Sequence, residues 1–411
     1  MKYRADLHVH SRFSIATSRY STLEEYSRWA GIKGIEVIGT GDFTHPGWMS
    51  EIRNKLIPDE RIGFFRLKEE VGARTARVAF CLSSEISCIY KPPDEADRRE
   101  DEKTYKVHLL IFVRKLESAE YLSKKLAELG NINADGRPIL KLAPRDLLEI
   151  VLESGDGSFL IPAHIWTPWF SVLGEKSGFD SIEEAFGDLS NHIFAVETGL
   201  SSDPKMNWLV SALDKYTLVS NSDAHSPEKL GREVNLFDTE FSYDGMFDAI
   251  KTKDGFKGTV EYFPEEGKYF YDGHRRCGIS MSPEEAEKSG GICPVCGKRL
   301  TFGVMHRVKT LADRSEPVRP AGSPEFFHAF PLKEMISLLV GRGINTKVVA
   351  SEYKRIIDRF GNELDFLLET PLMDIRRYAG MDYANLIEKM RNDDLRLVPG
   401  FDGRFGQVVL E

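Results

Sequence analysis

Over the first 260 residues, short apolar runs alternate with amphipathic segments, and a histidine or an acidic residue follows most of the runs. EVIGTG is followed by Asp42, AFCLSS by Glu85 and FLIPA by His164. Alternating β-rich and helical segments predict a parallel sheet with helical crossovers. In barrels of this kind, the chemistry lies at the carboxyl ends of the strands. The pattern therefore predicts an α/β barrel with a polar site at one end.

The first predicted strand carries two histidines. In Asp6-Leu7-His8-Val9-His10 the polar and apolar residues alternate, so Asp6, His8 and His10 share one face. Neutral imidazole is the commonest protein ligand of zinc and related metals. The alternative is that one histidine caps a turn and the other lies on a wet face. The chain has ten histidines, and several of them fall at strand ends, which favours a metal site.

Other candidate ligands occur in or after later apolar runs. His108 lies inside KVHLLIFV, Glu197 follows IFAV, and Asp223 and His225 follow TLVSNS. Histidine and carboxylate ligands suit zinc, manganese or iron. A bridging carboxylate such as Glu85 would let two cations approach each other, so that they bind both the attacking and the leaving oxygen of a phosphodiester. These residue types predict metal-dependent phosphoester hydrolysis.

DLHVHS and SDAHSP, in this order and separation, resemble the first and last motifs of the PHP family of metal-dependent hydrolases. TGDFTHP, SSEIS, KVHLLIF and IPAHIWTP fall where the intermediate motifs of that family lie. The resemblance spans about residues 1–260 and implies a distorted β/α barrel of PHP type with a cluster of up to three metals. It implies metal ligands at His8, His10, Asp42, Glu85, His108, His164, Asp223 and His225. The expected catalytic residues are Asp223, His225, Glu85 and His164.

Two departures from the PHP pattern concern the metal cluster. After the first motif the chain reads FSIATS, where many members have an acidic residue or a histidine. The second motif reads Asp42-Phe43, where Asp-His is common, and His45 is displaced beyond Thr44. We therefore expect one metal position to have altered ligands or lower occupancy. His45 could replace the missing ligand or hold the loop.

A second set of candidate ligands lies near residue 280. His274-x-x-Cys277 and Cys293-x-x-Cys296 are two short knuckles whose spacing is typical of a structural zinc site. His274 is the expected fourth ligand, and His306 is the alternative. Four protein ligands leave no open coordination position, so this zinc is expected to be structural. The alternative interpretation is that these cysteines are free thiols in an ordinary loop.

Charge and periodicity suggest how the rest of the chain is organised. From Asp272 to Pro320 there are nine Lys/Arg and six Asp/Glu, whereas the whole chain has a net charge of −9. Such a module could bind a phosphate backbone, or it could stabilise a small domain that lacks a hydrophobic core of its own. SPEFFHAFPLKEMISLLVG and VVASEYKRIIDRFGNELDFLLE predict helices. The expected division is a metallohydrolase barrel in residues 1–260, a zinc module in 261–320 and a helical C-terminal domain in 321–411.

The barrel, GHRRC…CPVCGK and the helical tail together resemble the endonuclease Q family over nearly the full chain. This resemblance implies a DNA repair endonuclease that hydrolyses the phosphodiester 5′ of deaminated bases (uracil, hypoxanthine) or abasic sites, using metal-bound hydroxide. It implies zinc in the structural site and in the barrel cluster, with magnesium or manganese for activity. DNA containing these lesions is the expected partner, and a sliding clamp is a candidate partner.

Other functions and the location are also constrained by the sequence. A small-molecule phosphoesterase of the histidinol-phosphatase type is the main alternative, and a non-catalytic nucleic-acid-binding protein is another. No apolar run has transmembrane length and no signal peptide is present, so we expect a cytoplasmic protein without a membrane partner. A damaged base taken out of the helix needs a pocket. Trp166, Trp169, Phe43 and the turn at Ser201 and Ser202 are candidates, although each could equally pack the barrel.

Overall fold

The computed structural model of the protein describes residues 1–71, 78–92 and 103–410. Within these residues the strands are β1 (Lys2–Asp6), β2 (Val37–Gly39), β3 (Leu56–Asp59), β4 (Phe64–Leu67), β5 (Ala79–Tyr90), β6 (Tyr105–Val113), β7 (Ile139–Leu140), β8 (Phe159–Pro162), β9 (Ala195–Glu197), β10 (Thr217–Val219), β11 (Val234–Asp238), β12 (Phe256–Glu261), β13 (Asp272–His274), β14 (Ile279–Met281), β15 (Glu325–His328), β16 (Arg396–Val398) and β17 (Gln407–Val409).

The helices of the same residues alternate with the strands in the first part of the chain and follow one another near its end. They are α1 (Leu23–Lys33), α2 (Pro46–Lys55), α3 (Leu116–Leu129), α4 (Pro144–Glu153), α5 (Ile182–Phe186), α6 (Pro204–Asn207), α7 (Tyr243–Thr252), α8 (Pro283–Lys288), α9 (Val304–Leu311), α10 (Leu332–Val340), α11 (Lys347–Phe360), α12 (Leu372–Tyr378) and α13 (Met381–Arg391). The fold is therefore mixed α/β, as the sequence predicted.

The main sheet has eleven strands, ordered β15-β12-β11-β1-β2-β5-β4-β3, with β6 and β7 also paired to β5 and β8 paired to β6. β1, β2 and β5 run parallel, as predicted. The β1–β11, β5–β6 and β6–β8 pairs are antiparallel, so the prediction of a parallel sheet is wrong for these pairs. The physical reason is that an apolar run indicates only that a strand is buried. Burial does not depend on whether the neighbouring strand runs parallel or antiparallel.

Both faces of the main sheet are buried, which explains why its strands read as nearly continuous apolar runs. Ala5 and Leu7 pack into an apolar cluster on one side, while Val9 and Ile38 pack into a larger cluster on the other. Burial on both sides fixes the first strand and the extended segment that follows it. The polar residues in that segment are therefore held in a rigid frame.

The chain leaves the main sheet after β12 and returns to it later. β13 and β14 form an antiparallel hairpin, and β15 then pairs parallel with β12 at the edge of the main sheet. The helix predicted over SPEFFHAFPLKEMISLLVG is therefore wrong for Glu325–His328, where the chain is a strand, and correct from Leu332 onward. Two aromatic residues favour the strand, and Pro331 separates it from the helix.

The C-terminal residues contact both earlier parts of the chain. The C-terminal helices share an apolar core and are joined to α1 by the buried ion pair of Lys33 with Glu363, at 2.7 Å. Asp402 accepts the backbone N–H of Arg275 at 2.6 Å. The division into residues 1–260, 261–320 and 321–411 stays a prediction. Among the described residues, no helix combines the length and the apolar character needed to cross a bilayer.

Candidate metal centre

Two histidines and two carboxylates meet just after β1. His10 Nε2 lies 3.1 Å from both Glu85 Oε2 and Asp223 Oδ1, and His8 Nε2 lies 3.6 and 3.5 Å from the same two oxygens. The four donor atoms lie within 4.8 Å of one another. His8 Nε2, His10 Nε2 and Asp223 Oδ1 are buried and make no hydrogen bond. Buried polar atoms without partners that converge on one point fit a bound cation.

A second group of donors shares Glu85 with the first. Glu85 Oε1 lies 2.8 Å from His108 Nδ1 and 3.2 Å from His164 Nε2, and the two imidazole nitrogens are 3.2 Å apart. All three side chains are buried. Because Oε2 of Glu85 faces the first group and Oε1 faces the second, this carboxylate could bridge two cations. Adjacent cations of this kind are the arrangement used for in-line displacement at phosphorus.

Three of the predicted site residues have an unusual backbone. Asp42, His164 and Asp223 have φ angles of 48°, 29° and 47°, in the left-handed region. Each such residue costs about 1–3 kcal/mol and persists only where its surroundings enforce it. Gly199 helps to make room, because a Cβ atom there would lie 2.5 Å from the Cβ of His164. The strained residues follow β2, β8 and β10, close to the ends of these strands, where the donors meet.

The electrostatics of the centre follow from burial and from close opposite charges. Burial by itself would lower the pKa of His8, but the carboxylates around it, Glu197 foremost, hold that pKa well above its usual range. Burial would raise the pKa of Glu85, but His108 and Arg137 hold it well below its usual range. Burial lowers the pKa of His108 to about 4. An imidazole that stays neutral at pH 7 is ready to act as a ligand.

Glu197 supports the centre without joining either group of donors. Its carboxylate is fully buried, and both oxygens lie 3.1 Å from His8 Nδ1. It also accepts the backbone N–H of His164 at 2.9 Å and the amide of Asn221 at 2.8 Å. Holding Nδ1 of His8 directs Nε2 toward the centre. The sequence indicated Glu197 by its position after an apolar run. That position does not distinguish a metal ligand from a residue that orients a ligand.

We expect Glu197→Gln to weaken metal binding at the His/Asp/Glu centre about 10- to 100-fold, the usual effect of losing a residue that orients a ligand. The reason is that the neutral amide holds the imidazole of His8 less firmly. Competition with a graded series of chelators, read by metal analysis, measures the change. Glu117→Gln, at an exposed position on α3, is the matched control. Equal metal affinity in both variants would contradict the orienting role.

Asp42 lies beside the centre, but its oxygens already have partners. Oδ1 is 3.0 Å from His10 Nδ1, and Oδ2 accepts hydrogen bonds from the backbone N–H of Ser11 at 2.6 Å and from Ser14 Oγ at 2.8 Å. It is outside both groups of converging donors. In this geometry Asp42 orients His10, and its role as a metal ligand stays a prediction.

His45 and His225, the two other histidines of these motifs, lie outside both groups of converging donors. The Nδ1 atom of His45 caps α2 by accepting the N–H of Gly47 at 3.1 Å, and its Nε2 lies 3.2 Å from the carbonyl oxygen of Asn133. Of the two alternatives for His45, these contacts correspond to holding the loop. His225 is partly exposed, lies against the ring of His10 at 4.6 Å, and donates from Nδ1 to the Asp223 carbonyl oxygen.

The second cluster brings together His274, Cys277, Cys293 and Cys296, whose donor atoms lie within 4.8 Å of one another. Cys296 Sγ is 3.4 Å from His274 Nδ1. His306, the alternative fourth ligand, is instead bonded through Nδ1 to an oxygen of Asp272 at 2.7 Å. These four donors could hold a zinc ion with no open coordination position.

The surroundings of Cys293, the first cysteine after α8, favour its thiolate form. Burial opposes the charged form of Cys293, but the backbone N–H groups of Cys296 and Val295 lower the pKa of its thiol to about 7. Gly297, at a φ of 69°, follows Cys296 directly and makes the tight turn of the knuckle. Zinc binds the thiolate form of cysteine, so this turn favours metal binding.

Some of the basic residues around this cluster form ion pairs, and others are exposed without an ion pair. Arg307 is buried against Asp180, Arg314 pairs with Asp214, Lys309 with Glu284 and Arg319 with Glu325. Among the Lys and Arg residues from Asp272 to Pro320, the exposed ones with no ion pair in the described structure are Arg275, Arg276, Lys288, Lys298 and Arg299. The unpaired positive charge of this module therefore lies on the β13–β14 hairpin, at the end of α8 and on the turn after Cys296.

Among the aromatic candidates for a base pocket, only Trp169 is open to solvent. Trp166 and Phe43 are fully buried in the core. Trp169 is 43% exposed and packs edge-on against Tyr269, with ring centroids 5.1 Å apart. These two rings line a cavity of about 300 Å³ that also contacts Ser201 and Phe405. The cavity opens beside the loop that carries His164.

Comparison with known sequences found relatives over different lengths. The family described as the MJ0043 C-terminal domain matches residues 331–394. The uncharacterized protein MJ0043 of Methanocaldococcus jannaschii is 31% identical over 250 residues, which make up 59% of this chain and 31% of that protein. The chain therefore spans less than a third of that relative. The uncharacterized protein YqxK of Bacillus subtilis is 31% identical over 421 residues, 99% of both chains.

Comparison with solved structures found matches over the whole chain. The lesion-specific endonuclease PfuEndoQ of Pyrococcus furiosus superposes with a TM-score of 0.86 at 31% identity, covering 100% of this chain and 96% of that one. A complex of Endonuclease Q with a 27-mer duplex substrate, with an abasic lesion at the active site, gives 0.84 at 31% identity, covering 100% and 97%. The likeness therefore extends over the main sheet, the His/Cys cluster and the C-terminal helices.

Proposed function

The chain belongs to the endonuclease Q family, and from this we propose that it is a metal-dependent endodeoxyribonuclease of DNA repair. It hydrolyses the phosphodiester on the 5′ side of a deaminated base, uracil or hypoxanthine, or of an abasic site. The observation that carries the proposal is the position of Glu85, whose two oxygens serve two groups of buried donors in a chain that matches lesion-specific endonucleases over its full length.

The principal metal ligands that we propose are those of the two converging groups. His8, His10, Glu85 and Asp223 hold one divalent cation, and Glu85 with His108 and His164 holds a second. Zinc, with manganese or magnesium for activity, suits these donors. Cations in this position would lower the pKa of water and offset the charge on a phosphate. The protein's own contribution is orientation, since Glu197 and Asp42 fix the His8 and His10 rings.

The residues that act on the substrate are proposed to be Asp223, His225, Glu85 and His164. Asp223 and His225 lie at the open side of the centre, where both side chains are partly exposed. Glu85 and His164 lie deeper and are buried. A phosphodiester that approaches from solvent would meet Asp223 and His225 first. We propose a distorted PHP-type barrel as the frame of this site, with Asp42 and His225 as further metal ligands.

DNA is the proposed partner, and the zinc cluster is proposed to present cationic side chains to its backbone. Exposed Arg276, Lys298 and Arg299 lie on or beside the two knuckles. A cation on such a knuckle can bind a phosphate and position the duplex without reading its sequence. A structural zinc ion would make this surface rigid. A sliding clamp is a further candidate partner that the family resemblance suggests, and the cytoplasmic location stays a prediction.

We expect Trp169→Ala to weaken binding to a duplex with one uracil about 5- to 100-fold, because a stacked base contributes about 1–3 kcal/mol. The cavity beside Trp169 is the proposed place for the extruded base. Fluorescence anisotropy with labelled duplexes measures the affinity. Tyr20→Ala, an exposed aromatic on a different loop, is the control. If Trp169→Ala and Tyr20→Ala bind the duplex equally well, the base lies elsewhere.

The experiment that tests the function is a cleavage assay on end-labelled duplexes. One set carries a single uracil, hypoxanthine or abasic site, the other is undamaged, and manganese or magnesium is added. We expect one nick immediately 5′ of the lesion and none in the undamaged duplex. Rapid hydrolysis of a phosphomonoester with no nick in any duplex would replace the proposal with a small-molecule phosphoesterase.

A further inference from the structure

A cationic side chain that no sequence motif indicated lies in the metal centre. Arg137 Nη1 is 3.2 Å from Glu85 Oε2, the oxygen that also faces His8 and His10. The Arg137 side chain is 24% exposed, so one end of it reaches the carboxylate while part of it remains open to solvent. Arg137 comes from the segment between α3 and β7, which carries none of the predicted ligands.

The backbone around Arg137 is held in place on both sides. Asp135 is buried and accepts the N–H groups of Arg137 at 3.2 Å and of Ile15 at 3.1 Å. On the other side, the Pro138 carbonyl oxygen accepts the N–H of Ser87 on β5 at 3.0 Å, and β5 is the strand that carries Glu85. The position of Arg137 is therefore tied to the strand that holds the shared ligand.

The same segment contacts the residues that orient His10. The Gly136 N–H donates to the Phe13 carbonyl oxygen at 3.0 Å. A Cβ atom at Gly136 would lie 2.4 Å from both Asp42 Oδ2 and Ser14 Oγ, so only glycine fits without displacing them. Arg137 thus lies on the Asp42 side of the centre, where the second motif departs from the PHP pattern. The segment that carries Arg137 therefore packs against the Asp42 carboxylate, while its guanidinium reaches Glu85.

A role as counterion of Glu85 does not account for this arginine. Glu85 already faces three imidazoles besides His8, and cations held by the same donors would repel a guanidinium. An anion that enters the centre removes this repulsion. Guanidinium groups bind phosphate through two parallel N–H donors, which gives them both geometry and strength. A partly exposed arginine beside the proposed cations is therefore suited to the phosphate of the substrate.

We propose that Arg137 is a catalytic residue that binds a nonbridging oxygen of the phosphate that is cut. The inference rests on the proposed function and adds a residue that holds the phosphate beside Glu85. Negative charge on the phosphate oxygens is stabilised by fixed donors that point to where it develops. The contact therefore stabilises the transition state as well as the bound substrate.

The test compares Arg137→Met and Arg137→Lys with the wild type on duplexes that carry one abasic site. In one duplex the scissile phosphate is replaced by a neutral methylphosphonate, and in a second duplex the same replacement lies two linkages away. Affinity is measured with calcium in place of the activating metal, after a gel has shown that the DNA stays intact. Single-turnover cleavage with manganese and the metal content per chain are measured on the same samples.

We expect the methylphosphonate at the scissile position to weaken wild-type binding about 10- to 100-fold, the worth of a charge-assisted hydrogen bond. We call this loss of affinity the methylphosphonate penalty. In Arg137→Met the methylphosphonate penalty should fall at least about tenfold, because the side chain that binds the phosphate is absent. The single-turnover cleavage rate of Arg137→Met should fall about 100- to 1000-fold, and Arg137→Lys should recover part of that rate. The metal content per chain should not change in either variant. Arg145→Met, at a surface ion pair on α4, should keep the wild-type penalty.

Two results would overturn the inference. One is an unchanged methylphosphonate penalty in Arg137→Met, and the other is loss of barrel metal in both Arg137 variants, which would make Arg137 a structural counterion. If Arg137→Met does not fold, as judged by circular dichroism, the penalty in Arg137→Lys decides between the same outcomes. Failure of the wild type to nick the abasic duplex would contradict the proposed function instead, so the two failures are distinguishable.

Discussion

Asp223→Ala is expected to reduce single-turnover cleavage of a lesion-bearing duplex by at least about a thousandfold, a loss of about 4 kcal/mol of transition-state stabilisation. Affinity for the same duplex should stay within about threefold of the wild type, because phosphate contacts spread over the protein supply most of the binding. His8→Ala should have the same two effects. Gel assays of nicking and anisotropy measurements of binding test both statements.

The size of this effect follows from where Asp223 lies. Its Oδ1 is 3.1 Å from His10 Nε2 and 3.5 Å from His8 Nε2, and it makes no hydrogen bond. Removal of this oxygen leaves the first group with three of its four donors, so that His8 and His10 lose a carboxylate partner. No neighbouring side chain in the described residues offers a further oxygen to that group.

Asp156→Ala is the matched control for this prediction, since Asp156 is an exposed aspartate in the turn between α4 and β8. It should nick the lesion duplex at the wild-type rate. Full cleavage by the Asp223→Ala, His8→Ala double variant would falsify the proposed metal centre. A parallel loss of binding and cleavage in Asp223→Ala would show instead that the residue holds the fold.

Cys293→Ser is expected to release one zinc ion per chain and to unfold the segment around the two knuckles. Structural zinc contributes about 10–16 kcal/mol to folding in small zinc domains, far more than the residues near the knuckles can supply by burial. The cluster packed around Cys293 has only Ala286 and Leu300 as its other buried members. Metal analysis and limited proteolysis between residues 272 and 302 measure the two effects.

The matched control for the zinc prediction is Cys88→Ala, at a buried thiol on β5 that is far from the knuckles in sequence. It should keep all of its zinc and remain resistant to protease. In Cys293→Ser, nicking of lesion duplexes should weaken as well, because Arg276, Lys298 and Arg299 lose their fixed positions. Retention of the full zinc content and of protease resistance by Cys293→Ser would show that the four donors do not form a structural site.

The comparisons confirm the resemblance to the endonuclease Q family that the motifs predicted. The motifs were informative because metal ligands often lie close together in the sequence, as two histidines two residues apart or as two cysteines around a tight turn. The helix predicted over SPEFFHAFP failed where β15 forms, since pairing with β12 outweighs local preference at that edge. The sequence could not supply this pairing because β12 and β15 are more than 60 residues apart.

The sequence by itself determined which residue types are available for chemistry and which ends of which apolar runs carry them. His8, Glu85, His164 and Asp223 were identified in this way, because burial and ligand type both leave local patterns. What each of them does was decided only by the tertiary structure. Glu85 faces two groups of donors, Asp42 and Glu197 orient histidines, and Arg137 enters the centre from a segment without a motif. Such roles depend on the direction of individual donor atoms, and that direction is set by packing between strands that lie far apart in the chain.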